Sequence, residues 1–140
     1  TLGCLRAVSA KYGPVAVIQF DAHCDLWGEG TAGRVDHGDF MLRAVHEGLV
    51  EPAACAQVGI RTEVPDAMGL TIIDARQVHA KGPEATADRL RQIVGDRPCY
   101  VTFDIDALDP AHAPGTGTPV WAAISPPNAV FLPKADRTAR

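Results

Sequence analysis

The sequence predicts an α/β fold of three layers, with helices covering both faces of a mostly parallel sheet. Three observations carry this expectation. Four short apolar runs, residues 15–20, 56–60, 70–73 and 99–103, read as strands buried on both faces. Stretches with helical apolar spacing alternate with them. No hairpin turn joins any two of the runs, and parallel neighbours need crossovers of the kind the helical stretches supply.

Each element follows in chain order. Leu2, Leu5 and Val8 recur at helical spacing up to Lys11, and Gly13-Pro14 ends that helix before the first strand. Residues 26–36 form a glycine-rich loop. His37-Gly38-Asp39 then enters an amphipathic helix in which Phe40, Ala44 and Val45 share a face, closing at Gly48. After the second and third strands, Ala87, Leu90, Ile93 and Val94 mark a helix between Pro83 and Gly95, with Pro83 suited to its first turn. The last strand is 99–103. From Ala122 onward, Ser125-Pro126-Pro127-Asn128 and Pro133 break regular structure, and residues 134–140 are polar and basic. One domain over 1–121 and a loose tail over 122–140 are expected.

Composition narrows the function. The chain has 140 residues, enough for one domain, and 46% hydrophobic residues suffice for a core. A net charge of -4 argues against nucleic acid or an anionic membrane as partner. No apolar run approaches the ~20 residues a membrane span needs, and no basic, apolar leader segment is visible. Cys4, Cys24, Cys55 and Cys99 show no paired spacing, which fits free thiols in a reducing, cytoplasmic compartment.

The chemistry concentrates at two strand ends. Asp21-Ala22-His23-Cys24-Asp25 follows the first strand, and Asp104-Ile105-Asp106 follows the last. Residues two apart on a strand face the same way, about 6.6–6.8 Å apart. Asp21 and His23 therefore start on one face, Asp25 follows as the chain turns, and Asp104 and Asp106 form a second same-face pair. Cys24 points away and packs. A lone strand-end Asp is ordinarily a turn former or helix cap, and a lone His beside an apolar strand is ordinarily a satisfied interior group. Together, four carboxylates and an imidazole at the carboxyl edge of one sheet would repel strongly in a dry cleft, and two divalent cations would balance them. Hard oxygen plus imidazole, without a thiolate pair, suits Mn²⁺ better than structural zinc, and Mg²⁺ seldom takes histidine.

These motifs, with His37-Gly38 and the segment FDIDALDPAHAPGTGTP over 103–119, resemble the ureohydrolases, the family of arginase and agmatinase, and most closely the agmatinase branch. The resemblance covers residues 1–121. It implies an arginase-like fold with two Mn²⁺ ions: Asp21 and Asp104 bridging both, Asp25 completing one shell, His23 with Asp106 completing the other. It further implies that Asp25 helps pass a proton to the leaving nitrogen, and that His37 shuttles protons with solvent. Without the family, His37 reads as a helix-start residue with no chemistry. The implied reaction hydrolyses the guanidinium C–N bond of agmatine to putrescine and urea, in a closed homo-oligomer acting on a small cationic substrate.

On the same resemblance a GGDHS segment carrying a sixth ligand would lie upstream of Thr1, and further strands downstream. The chain then reads as an internal fragment, incomplete at both ends, and inactive alone. Substrate choice stays open. Glu29, Asp36 and Asp39 would favour a second cationic end, whereas Arg34 would pair with the carboxylate of a guanidino acid, as in a guanidinobutyrase. A catalytically silent subunit of the same fold is a further alternative. An amide hydrolase of related fold, such as a deacetylase, is disfavoured by the APGTGTP segment.

Overall fold

The computed structural model describes residues 1–28, 35–113 and 130–132. Its centre is β1 (Ala16–Phe20), whose apolar alternation serves two helical layers at once. Val15 and Val17 face α1 (Leu2–Tyr12) and α2 (Phe40–His46), in a cluster with Leu2, Leu5, Met41 and Ala44. Ala16, Ile18 and Phe20 face the other way, toward α3 (Ala75–Val94), packing with Val58, Leu90 and Val94. Three layers result, as expected. Fully burying a side chain such as Leu5 stabilises by about 1.5–3 kcal/mol, so these two clusters are what hold the helices to the sheet.

The remaining strands are β2 (Ala56–Ile60), β3 (Thr71–Asp74), β4 (Cys99–Phe103) and β5 (Val130–Leu132). Their order is β3-β2-β1-β4-β5. β1 pairs in parallel with both β2 and β4, and β2 in parallel with β3. β5 runs antiparallel to β4, so the sheet is mostly rather than wholly parallel. β5 falls inside the stretch expected to be a loose tail; the rest of 122–140 lies outside the described residues.

Two helices differ from the sequence reading. α2 starts at Phe40, leaving His37 and Gly38 in the turn before it. α3 starts at Ala75 rather than Pro83, because Asp74 caps it: Gln77 N–H donates to Asp74 Oδ1 at 2.7 Å. Within α3, Gly82 is non-helical (φ 79°, ψ 171°) and Pro83 restarts the helix, since proline cannot donate the bond an unbroken helix needs. Gly82 is the residue that tolerates this left-handed φ, and its carbonyl accepts from Thr86 Oγ1 at 2.8 Å. Among the described residues no helix is long and apolar enough to cross a membrane.

Candidate metal centre

β1 and β4 lie side by side with Phe20 opposite Phe103, so Asp21 and Asp104 leave the sheet at the same edge. The Asp104 N–H donates to the Phe20 carbonyl at 2.8 Å, extending the pairing beyond the strand end. The strand order departs from β1 in opposite directions, to β2 on one side and β4 on the other. Parallel sheets open a crevice at the carboxyl end of such a reversal. A cavity of about 750 Å³ occupies it, lined by Asp21, His23, Asp25, His37, Asp104 and Asp106 among others.

Turn chemistry then gathers the side chains. Asp21 Oδ1 accepts from the His23 N–H at 2.8 Å, which folds the chain back just after β1. The Ala22 N–H donates to Asp106 Oδ1 at 3.1 Å. His23 Nδ1 lies 2.8 Å from Asp106 Oδ2 and 3.5 Å from Asp21 Oδ1. One ligand atom from each of Asp21, His23 and Asp106 thus falls within 4.8 Å of the others, close enough to hold one ion.

The DID run reaches this arrangement by a route that strand alternation does not anticipate. Residues Ile105–Ala107 form a 3-10 turn, capped by Asp104, whose Oδ1 accepts from the Asp106 N–H at 3.1 Å. The pair is therefore not a same-face strand pair. Asp106 swings over to His23, while Asp104 stays exposed on the cavity wall. Arg61 fastens the turn from β2's side, donating to the carbonyls of Asp106 and of Ala107, the latter at 3.3 Å. Gly59 lets β2's end pass beneath: its φ is 92°, and a Cβ there would lie 3.3 Å from the Asp21 carbonyl oxygen. The sheet register shifts between Val58 and Ile60 at this point.

Asp25 is buried and left-handed (φ 52°), a conformation Asp accepts better than most residues. It is linked to Asp21 by a residue that the motif reading passes over. Gln19, fully buried in β1, sends its Nε2 to Asp21 Oδ2 at 2.9 Å and to Asp25 Oδ2 at 2.8 Å. Gln57, its partner in register on β2, donates to Gln19 Oε1 at 2.8 Å and to the Cys24 carbonyl. The signal was available: a polar residue inside a buried strand, two before Asp21 and so on its face. Gln57 Oε1 is, among the described residues, a buried polar atom without a partner, at a cost of about 1–3 kcal/mol.

Electrostatics at the centre shows a deficit of positive charge. Burial, then the neighbouring charge of Asp21, pushes the Asp25 carboxyl up to about 8, against the pull of the Gln19 hydrogen bond. Asp21 is raised too, by burial foremost, with the Gln19 and His23 N–H bonds opposing. A set of oxygen donors plus imidazole, its carboxyls raised by burial and by one another's charge, suits divalent metal ions.

The other sequence candidates divide. Asp36 and His37 line the cavity. Asp39 does not act as expected: its buried carboxylate takes the Arg43 Nε at 2.6 Å and the Asp36 N–H at 2.9 Å, and serves the start of α2. Glu29, Arg34 and residues 114–119 lie outside the described residues. Cys24 packs in the core as expected, its thiol 3.6 Å from the Glu63 carbonyl and pushed up by burial. All four cysteines are free.

A three-layer α/β domain with acidic strand ends meeting at the switch point belongs to a recognisable class, and comparison places it. Residues 1–135 match the arginase family, and the chain belongs to that family. It is 47% identical over 129 residues to an agmatinase of Chromobacterium violaceum, a match covering 91% of this chain and 40% of that protein. The crystal structure of a hypothetical agmatinase from Burkholderia thailandensis superposes with a TM-score of 0.79 at 51% identity, over 85% of this chain and 38% of the other. Proclavaminate amidino hydrolase from Streptomyces clavuligerus superposes with a TM-score of 0.78 at 43% identity, over 85% and 41% respectively. The chain thus spans about two fifths of the length of these relatives.

Proposed function

We propose that this chain carries most of the metal site of a binuclear-manganese amidinohydrolase that hydrolyses agmatine to putrescine and urea. The observation that carries the reading is the meeting of Asp21, His23 and Asp106 within 4.8 Å, with Asp25 and Asp104 on the same cavity. In this reading Asp21 and Asp104 would be shared by the two ions, Asp25 would hold one of them, and His23 with Asp106 would hold the other. Two dications supply a water of lowered pKa, the nucleophile that a resonance-stabilised guanidinium carbon requires.

The protein groups do the rest. Asp25 keeps one oxygen on Gln19 and has the other to accept a hydrogen bond from the attacking water. As the C–O bond forms and the C–N bond breaks, that carboxyl passes the water's proton to the departing amine. His37, exposed on the cavity wall, exchanges protons with solvent. The acidic lining attracts a cationic substrate, and Asp36 on the same wall suits a second cationic end.

Agmatine takes first place because relatives 45–47% identical carry the name agmatinase. A second reading, another amidino compound, is supported by the amidino hydrolase neighbour of nearly equal structural similarity. Two measurements test the proposal. Electron paramagnetic resonance titration of the chain with Mn²⁺ is expected to show bound ions, and absence of binding would overturn the metal reading. Urea release by the complete protein is expected to be faster from agmatine than from 4-guanidinobutyrate, and the reverse order would remove agmatine.

A further inference from the structure

We infer that Gln19 is a positioning residue for the acid cluster, locked in polarity by Gln57, and that Mn²⁺ affinity depends on the pair. The inference rests on the metal reading above and adds residues outside the ligand set. Gln19 is fully buried in an apolar strand, where each unpaired polar atom of a carboxamide costs free energy. Gln19 satisfies all of them in one direction. Its two N–H donors go to Asp21 Oδ2 at 2.9 Å and Asp25 Oδ2 at 2.8 Å, and its Oε1 accepts from Gln57 Nε2 at 2.8 Å.

The direction is enforced from below. Gln57 Nε2 also donates to the Cys24 carbonyl, so the nitrogen end of Gln57 must face Gln19. A flipped Gln57 would set its oxygen against two acceptors. A flipped Gln19 would set its oxygen against two carboxylates and its N–H groups against those of Gln57. One orientation of the chain Cys24–Gln57–Gln19–Asp21/Asp25 therefore survives, and its outward end is a fork of donors.

The fork settles which oxygens remain for ions. It engages Oδ2 of both carboxylates and turns Asp21 Oδ1, which accepts the His23 N–H, toward His23 Nδ1, 3.5 Å away. It also bridges Asp25, whose left-handed backbone gives it no strand to lean on, to the rigid central strand. Hydrogen-bond partners behind metal ligands set ligand orientation, and losing one typically costs about 10–100-fold in metal affinity.

Mn²⁺ titration of the chain, with electron paramagnetic resonance reporting bound ion, tests this against a role in packing alone. Gln19→Leu keeps the volume and removes the donors; it is expected to weaken binding about tenfold or more. Gln57→Leu touches neither carboxylate and is expected to weaken binding by a smaller factor. Val17→Ala, on the same face of β1 and equally buried, is the packing control: it is expected to lower the melting temperature and leave affinity unchanged. Wild-type affinity in Gln19→Leu, or an equal loss in Val17→Ala, would overturn the inference. If Gln19→Leu fails to fold, unchanged affinity in Gln57→Leu overturns it. Failure of the unmutated chain to bind Mn²⁺ is a different result, which removes the metal reading and this inference with it.

Discussion

Asp25 is a buried carboxyl held well above its ordinary range, and its behaviour without metal follows from sign alone. Its carboxyl is raised from 3.8 to about 8, by burial first and by Asp21 next. Between those values the folded chain holds a proton that the unfolded chain has released. Stability contributed by this group is therefore fully present below about 4 and is lost as pH rises through 8. Melting temperatures in a chelator are expected to fall from pH 5 to pH 8, and Asp25→Asn is expected to flatten that slope. A slope unchanged by the substitution would place the titration elsewhere. The same proton must leave when a cation arrives, so Mn²⁺ binding at pH 7 is expected to release protons. Calorimetry in buffers of different ionisation enthalpy reads this directly, and a binding heat independent of buffer would contradict it.

Among the elements, α3 serves the scaffold and not the site. It packs on the face of β1, β2 and β3 that carries Ile18, Val58 and Ile73, opposite the face carrying Gln19 and Gln57. Leu90→Ala is expected to cost about 2–5 kcal/mol of stability by leaving a cavity in that cluster, and Asp74→Ala about 1 kcal/mol by removing the cap. Both should leave Mn²⁺ affinity as it was; urea denaturation alongside metal titration separates the two effects. The strands and α1 were legible because apolar runs and Gly-Pro punctuation act locally. The first half of α3 was hidden behind Gly82-Pro83, which looks like a helix start, although the four residues Asp74-Ala75-Arg76-Gln77 carry a cap signal. Asp104 and Asp106 were found, but their geometry was not. A 3-10 turn beyond a strand is set by the cap and by Arg61 reaching over from β2, neither of which strand periodicity encodes. Gln19 and Gln57 stand 38 residues apart in sequence and meet only through the parallel register of β1 and β2.

For the whole molecule, the centre is a seam between two strands that the chain joins only by a long excursion. After β1 the backbone runs through α2, β2, β3 and α3 before β4 returns to lie beside it. At the carboxyl edge His23 Nδ1 near Asp106 Oδ2, the Ala22 N–H on Asp106 Oδ1 and the Phe20–Phe103 ring contact join the two ends. A cation shared by Asp21, His23 and Asp106 would bind both ends together only in the folded arrangement. Ligands that bind the native state alone stabilise it by mass action, about 2.7 kcal/mol when present at a hundred times the dissociation constant. Mn²⁺ is therefore expected to raise the melting temperature, and to raise it more at pH 8 than at pH 6, where the proton on Asp25 competes with it. Asp106→Asn keeps the shape of the turn but removes the charge that β4 sends across the seam. In that variant most of the Mn²⁺-induced shift should disappear, while the melting temperature in chelator changes much less. Scanning fluorimetry of both proteins with Mn²⁺ and with chelator decides it: an undiminished shift in Asp106→Asn would mean that the ion does not link the two strand ends.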